Sequence, residues 1–197
     1  LSLHDALPIC YRRIDSMTNR EFAKKVAIVH QYNKVANDIT VRQLVSYGRT
    51  PYQVMMKAKS EDDEKMIDWA MDVPDLGPVK DRTVNSLSGG QKQRISIARA
   101  IARDPEIIVF DDSFSALDSK TDRMLRRSIK EKLSDKTIIV VAQRINTIMD
   151  ADEILVIENG KIAGRGRHKD LLRTCDVYYE IAKSQMTEEE LNNEISE

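Results

Sequence analysis

Two stretches of this sequence combine the residue types that chemistry on a phosphate group would need. The first is Leu87-Ser88-Gly89-Gly90-Gln91-Lys92-Gln93-Arg94, which opens a run with Ile97, Ala98 and Ile101 on one helical face. Adjacent glycines let the backbone come close to a ligand, and a helix start offers unpaired N–H groups at the positive end of its dipole. Ser88 adds a hydroxyl donor. Taken alone, the same residues also suit a glycine-rich helix entry that holds no ligand. The second stretch is the apolar run Ile107–Phe110, which passes straight into Asp111-Asp112 and then Ser115-Ala116-Leu117-Asp118. A carboxylate at the carboxyl end of a parallel strand is where an α/β sheet places ligand chemistry. There Asp111 would hold Mg²⁺ and Asp112 would face an attacking water. The alternative is a solvated strand end.

The elements that must position these residues can be read from periodicity and caps. Between Thr18 and Asp81 the signals are mainly helical. Thr40-Val-Arg-Gln43 predicts a capping box, with Leu44 and Val45 following and Gly48 as the C-terminal stop. A second helix is expected after Ser60, with Glu61, Asp62 and Asp63 in its first turn. Met66, Ile67, Ala70 and Met71 form its core-facing stripe, and Pro74 ends it. After Asp104 the pattern changes to strand (Glu106–Phe110), helix (Ser119–Leu133, with Leu125, Ile129 and Leu133 stacked) and strand (Thr137–Ala142). Such a βαβ unit predicts parallel strands buried on both faces. Glu153–Ile157 reads as a further strand, Asn159-Gly160 as a type I′ hairpin turn, and His168 as a helix-entry residue. The tail from Thr187 to Glu197 carries five glutamates and predicts a frayed helix or disorder.

Composition bounds the function class. With 197 residues, 32% charged and a formal net charge of -1, the chain has no electrostatic footprint for nucleic acid. Its longest apolar runs are too short to span a bilayer, so a membrane role comes through a partner or a fused domain. Cys10 and Cys175 lack metal-type spacing and are expected as free thiols in a reducing compartment. The opening LSLHDALPIC, which starts with leucine, resembles a translated sequencing adaptor, the alternative being a short native strand or loop.

With both stretches in view, the sequence resembles the ATP-binding cassette (ABC) ATPases. LSGGQKQR is similar to their signature motif, IIVFD to their Walker B strand and SALD to their D-loop, and Gln31 in VAIVHQYN matches the Q-loop glutamine. The resemblance covers about residues 14–185. It implies an α/β fold, a P-loop NTPase-type parallel sheet with an inserted helical subdomain at about 34–103. It also implies ATP and Mg²⁺ as cofactors. Asp111 and Gln31 would lie on the metal, while Ser88, Gly89, Gly90, Gln91 and Asp118 would contact nucleotide. Asp112 and Gln143 occupy the general-base and switch positions. The implied partners are a second nucleotide-binding domain and transmembrane permease domains, at the cytoplasmic face of the cell membrane. The corresponding layout is a leader at 1–10, a partial ATPase domain at 11–186 and an acidic tail at 187–197.

The chain departs from the family's pattern in four ways. The only Gly-Lys pair, Gly160-Lys161, is followed by Ile162, so no GxxxxGK[ST] phosphate loop occurs and an incomplete sheet is expected. Asp112 stands where hydrolysing members carry glutamate, which withdraws the carboxylate by about 1 Å. Ala142-Gln143-Arg144 replaces the family's Ala-His-Arg, and glutamine carries no proton. Lys24–Val84 resembles siderophore and cobalamin importers, whereas Phe110–Gln185 resembles exporters, as a chimera or natural mosaic joined near SGGQKQR would. Two functions compete: an ATPase subunit that powers transport, and the non-hydrolysing half of a heterodimeric exporter whose signature serves its partner's site. Soluble ABC proteins of DNA repair or translation would need a coiled-coil insertion or a basic surface, and neither is present.

Overall fold

The computed structural model describes residues 14–30, 39–53 and 60–196. They fall into two compact units, Leu1–Val141 and Ala142–Glu197. One local device starts four helices of the first unit. Thr18, Thr40, Ser60 and Ser88 each accept a hydrogen bond from the amide three residues on, and Glu21, Gln43, Asp63 and Gln91 accept one in return from the cap amide. These capping boxes open α1 (Asn19–Lys25), α2 (Val41–Ser46), α3 (Glu61–Asp72) and α4 (Gly89–Ile101). Ile67, Ala70 and Met71 of α3 are buried, Met66 is half-buried, and Pro74 follows the last turn.

Gly48 has a different job from the expected helix stop. After α2 the chain tightens into a 3-10 turn, Tyr47–Arg49, and among the described glycines only Gly160 has a positive φ. What Gly48 supplies is room: a Cβ there would lie 2.3 Å from the Arg99 carbonyl oxygen on α4. Beside it, the buried Arg49 donates to Asp63 at 2.7 Å and to the Ala102 carbonyl at 3.0 Å, tying α3 to the end of α4.

Three parallel strands lie in the order β1 (Val26–Val29), β2 (Ile107–Asp111), β3 (Thr137–Val141). β1 falls in the stretch expected to be mainly helical. Four apolar residues between Lys25 and His30 are too few to show a period, and pairing with β2 decides their state. Between β2 and β3 runs α5 (Ser119–Lys132), with Leu125, Ile129 and Leu133 buried as its spacing predicts.

The expected burial on both sheet faces is not found. Ala27, Val29, Ile108 and Phe110 are buried on one face, but on the other Ile28, Ile139 and Val141 are 45, 47 and 52% exposed. The cause is topological. Two successive right-handed crossovers stepping in the same direction put their helices, α4 and α5, on the same face.

The second unit has its own core, including Ile154, Val156, Leu171, Tyr178 and Leu191. After α6 (Ile145–Ile148) come β4 (Ile154–Glu158) and β5 (Lys161–Gly166), an antiparallel hairpin. Asn159 and Gly160 both take positive φ, 50° and 75°, as a type I′ turn demands. His168 begins α7 (His168–Thr174), which leads into α8 (Asp176–Lys183) and α9 (Glu188–Ser196). The acidic tail is thus helical, capped by a Thr187–Glu190 box and anchored through the buried Leu191. Cys175 is a free, buried thiol, and Cys10 lies outside the described residues. No helix among the described residues is long and apolar enough to cross a membrane.

Candidate functional site

At the entry to α4, Ser88 and Gly89 are exposed and Gly90 is half-buried. Ser88 and Gln91 hold each other: the Gln91 amide donates to the Ser88 hydroxyl at 3.3 Å, and the Ser88 amide to Gln91 Oε1 at 3.0 Å. This leaves the Gly89 and Gly90 amides, which as first-turn donors have no carbonyl one turn back to bond. Neither glycine has a positive φ. A Cβ on Gly89 would meet nothing within 4 Å, and one on Gly90 would make ordinary contact with Leu117 Cδ2 at 3.5 Å and the Ala116 carbonyl at 3.6 Å. Neither backbone conformation nor packing within the described residues therefore requires glycine here. The same proximity brings SGG and SALD together, with Gly90 and Ala116 standing 26 residues apart in sequence.

At the carboxyl edge of the sheet, Asp111 is the last residue of β2 and its side chain is 52% exposed. His30, the residue after β1, brings Nδ1 to 3.8 Å from Asp111 Oδ2. Asp112 has a φ of 47°, in the left-handed region that aspartate tolerates better than most side chains. Its amide donates to the Val141 carbonyl at the end of β3 (3.0 Å), and its carbonyl accepts from Ser115 Oγ (2.9 Å). Ser113 is 1% exposed, and its hydroxyl donates to the Val29 carbonyl at 2.7 Å. Asp118 caps α5 by accepting from the Thr121 amide at 3.0 Å, and hydrogen bonds from Thr121 hold its carboxyl below the usual carboxylate range.

Asp111 offers an exposed hard oxygen donor, which suits Mg²⁺. Among the described residues no group of three or more His, Cys, Asp or Glu could hold a metal by itself. A divalent cation at Asp111 would thus take most of its ligands from phosphate oxygens and water, as Mg²⁺ commonly does.

Gln143 belongs to the second unit, where it is exposed and its carbonyl accepts from Gln185 Nε2 at 2.8 Å. Gln31 lies outside the described residues. Sequence reasoning missed His30, Ser113 and the left-handed turn at Asp112. Ser113 and Val29 stand 84 residues apart, and no local pattern marks such a bond.

An α/β sheet with carboxylates at its carboxyl edge and a glycine-led helix entry beside the following turn has the layout of a ligand-binding α/β fold. The comparisons carry this to a family. The ABC transporter family model matches residues 8–115, and the chain belongs to that family, in its nucleotide-binding domain. An ABC transporter ATP-binding protein of Mycobacterium tuberculosis is 52% identical over 100 residues, 51% of this chain and 17% of that protein. An ATP-dependent lipid A-core flippase of Vibrio cholerae is 37% identical over 86% of this chain and 28% of the flippase. The solved structure of a bacterial Atm1-family ABC exporter with ATP bound superposes with a TM-score of 0.78 at 31% identity, covering 91% of this chain and 32% of that one. The chain thus spans less than a third of the curated relatives' length.

Proposed function

We propose that this chain is an ATP-binding and ATPase subunit of an exporter-type ABC transporter, coupling ATP binding and hydrolysis to transmembrane transport. Within that assembly it is the half whose own site is slow and whose signature serves the partner's site. One observation carries the assignment: Gly89 and Gly90 are glycines that the fold does not need. What the absent side chains leave open is a close approach to two unpaired amides, a place for a phosphate brought by another surface. In the family, each ATP lies between the Walker motifs of one nucleotide-binding domain and the signature of the other. Ser88, Gly89, Gly90 and Gln91 then face the nucleotide held on the partner, with Asp118 nearby.

On the chain's own side, Asp111 and Gln31 are assigned to Mg²⁺, and Asp112 and Gln143 to the general-base and switch positions. Asp112 is one methylene shorter than glutamate, and its left-handed turn is fixed by bonds from Ser115 and to Val141. Gln143 offers hydrogen bonds but no titratable proton. Both residues favour the non-hydrolysing role for this site. By itself the 197-residue chain is inactive on this assignment, because it contains no phosphate loop. Its partners are a second nucleotide-binding domain and transmembrane permease domains, which place it at the cytoplasmic face of the membrane. The exporter direction is supported by the flippase and exporter relatives.

Steady-state phosphate release from the full-length transporter, assembled with its competent partner, tests the asymmetry. Ser88→Arg is expected to lower turnover by about 10²-fold, because a bulky cation displaces the phosphate contact. Asp112→Asn is expected to cost at most about threefold, under 1 kcal/mol. Equal losses from the two substitutions would sink the asymmetric assignment, and full activity of Ser88→Arg would sink the signature role.

A further inference from the structure

The two residues after Asp111 fasten β2 to both of its neighbours. The Asp112 amide donates to the last carbonyl of β3, Val141, and the Ser113 hydroxyl donates to the last carbonyl of β1, Val29. The first bond is made by backbone, so any residue except proline supplies it. The second depends on a side chain. The short Ser113 hydroxyl reaches the end of β1 from inside the turn, and the residue is buried to 1% exposure while Asp111 nearby is exposed. The same hydroxyl lies 3.4 Å from the Asp111 carbonyl, so it touches the backbone of the residue assigned to the metal as well as the neighbouring strand. Just past Val29, His30 comes to 3.8 Å from the Asp111 carboxylate.

We propose that Ser113 is a positioning residue: its hydroxyl locks the carboxyl end of β1 to the Asp111–Asp112 turn and thereby fixes where the Asp111 carboxylate stands for a divalent cation. The proposal rests on the assignment of Asp111 to Mg²⁺. Removing the hydroxyl leaves the Val29 carbonyl without this donor and frees the two strand ends to separate. The carboxylate then samples more orientations, and the cation loses a preformed ligand.

The test is photolabelling of this chain by 8-azido-ATP in the full-length transporter, measured against Mg²⁺ concentration, with thermal unfolding in parallel. Ser113→Ala is expected to raise the Mg²⁺ concentration for half-maximal labelling by about tenfold, and Ser113→Thr to restore it. Ser128→Ala is the structural control. Its hydroxyl makes the same kind of bond, to the Val73 carbonyl at 2.9 Å, from within α5 and not from the turn that carries Asp111. It should lower the unfolding temperature comparably and leave the Mg²⁺ dependence unchanged. If Ser113→Ala does not fold, Ser113→Cys, a near-isosteric weak donor, carries the comparison and should give an intermediate shift. A Mg²⁺ dependence that follows only stability, identical in the Ser113 and Ser128 variants, overturns the proposal while Asp111→Asn still shifts it. If Asp111→Asn itself has no effect, the metal assignment falls and the proposal with it.

Discussion

The helix entry at Ser88 and the turn after Asp111 solve opposite problems. At Ser88 the local chain does everything: cap, box partner and first-turn amides lie within four residues, and the glycines are free of any internal demand. At Asp111–Ser115 the local chain does almost nothing alone. A left-handed aspartate and a buried serine keep their geometry because two distant strands, ending at Val29 and Val141, accept their hydrogen bonds. A helix entry built from local caps can be regular and exposed, whereas a turn at a sheet edge in this conformation is held by long-range ties.

Glycine substitutions break this comparison most sharply. Gly48→Ala places a Cβ against the Arg99 carbonyl and is expected to cost about 1–3 kcal/mol, the range for overpacking. Gly89→Ala meets open space, and alanine should stabilise the helix by about 0.4–1 kcal/mol. Chemical denaturation of the chain measures both. A large loss at Gly89 would mean that the fold, and not a ligand, requires that glycine.

The turn gives the next largest effect. Asp112→Val forces a β-branched residue to a φ of 47° and should lower stability by about 1–2 kcal/mol, whereas Asp112→Gly should match or exceed the parent. Equal stability of the two variants would show that residue 112 leaves the left-handed region in solution.

The smallest effect belongs to a polar group in the second unit whose visible work is structural. Burial pushes the His168 imidazole below its ordinary value, although Glu194 pulls the other way. Its Nδ1 lies 2.8 Å from the Tyr178 hydroxyl, itself pushed up to about 12 by burial, so the phenol stays protonated. A depressed imidazole means that the unfolded chain binds the proton more tightly. The stability contribution is therefore full above the unfolded value of about 6.5 and falls as pH drops through it, levelling below the folded value. Unfolding midpoints between pH 8 and 5 should show this decline, and His168→Gln should flatten it. A parent chain that gains stability on acidification would contradict the burial account.

How much was legible follows the same division. The box at Thr40, the helix starts after Ser60 and Ser88, the α5 stripe, the Asn159-Gly160 turn and the two strands flanking α5 are local patterns, and the sequence by itself determined them. The motif order from Gln31 through Asp118 likewise determined the family, since those residues sit in linear spacing. Tertiary structure decided the rest. β1 is a strand because β2 pairs with it, and Gly48 is small because α4 crosses it. One sheet face stays open because both crossovers pass on the other side. Ser113 became part of the site only when folding carried Val29 to it across 84 residues. Periodicity and caps act over a few residues, whereas a hydrogen bond between strand ends depends on where the whole sheet brings them, and no local pattern encodes that distance.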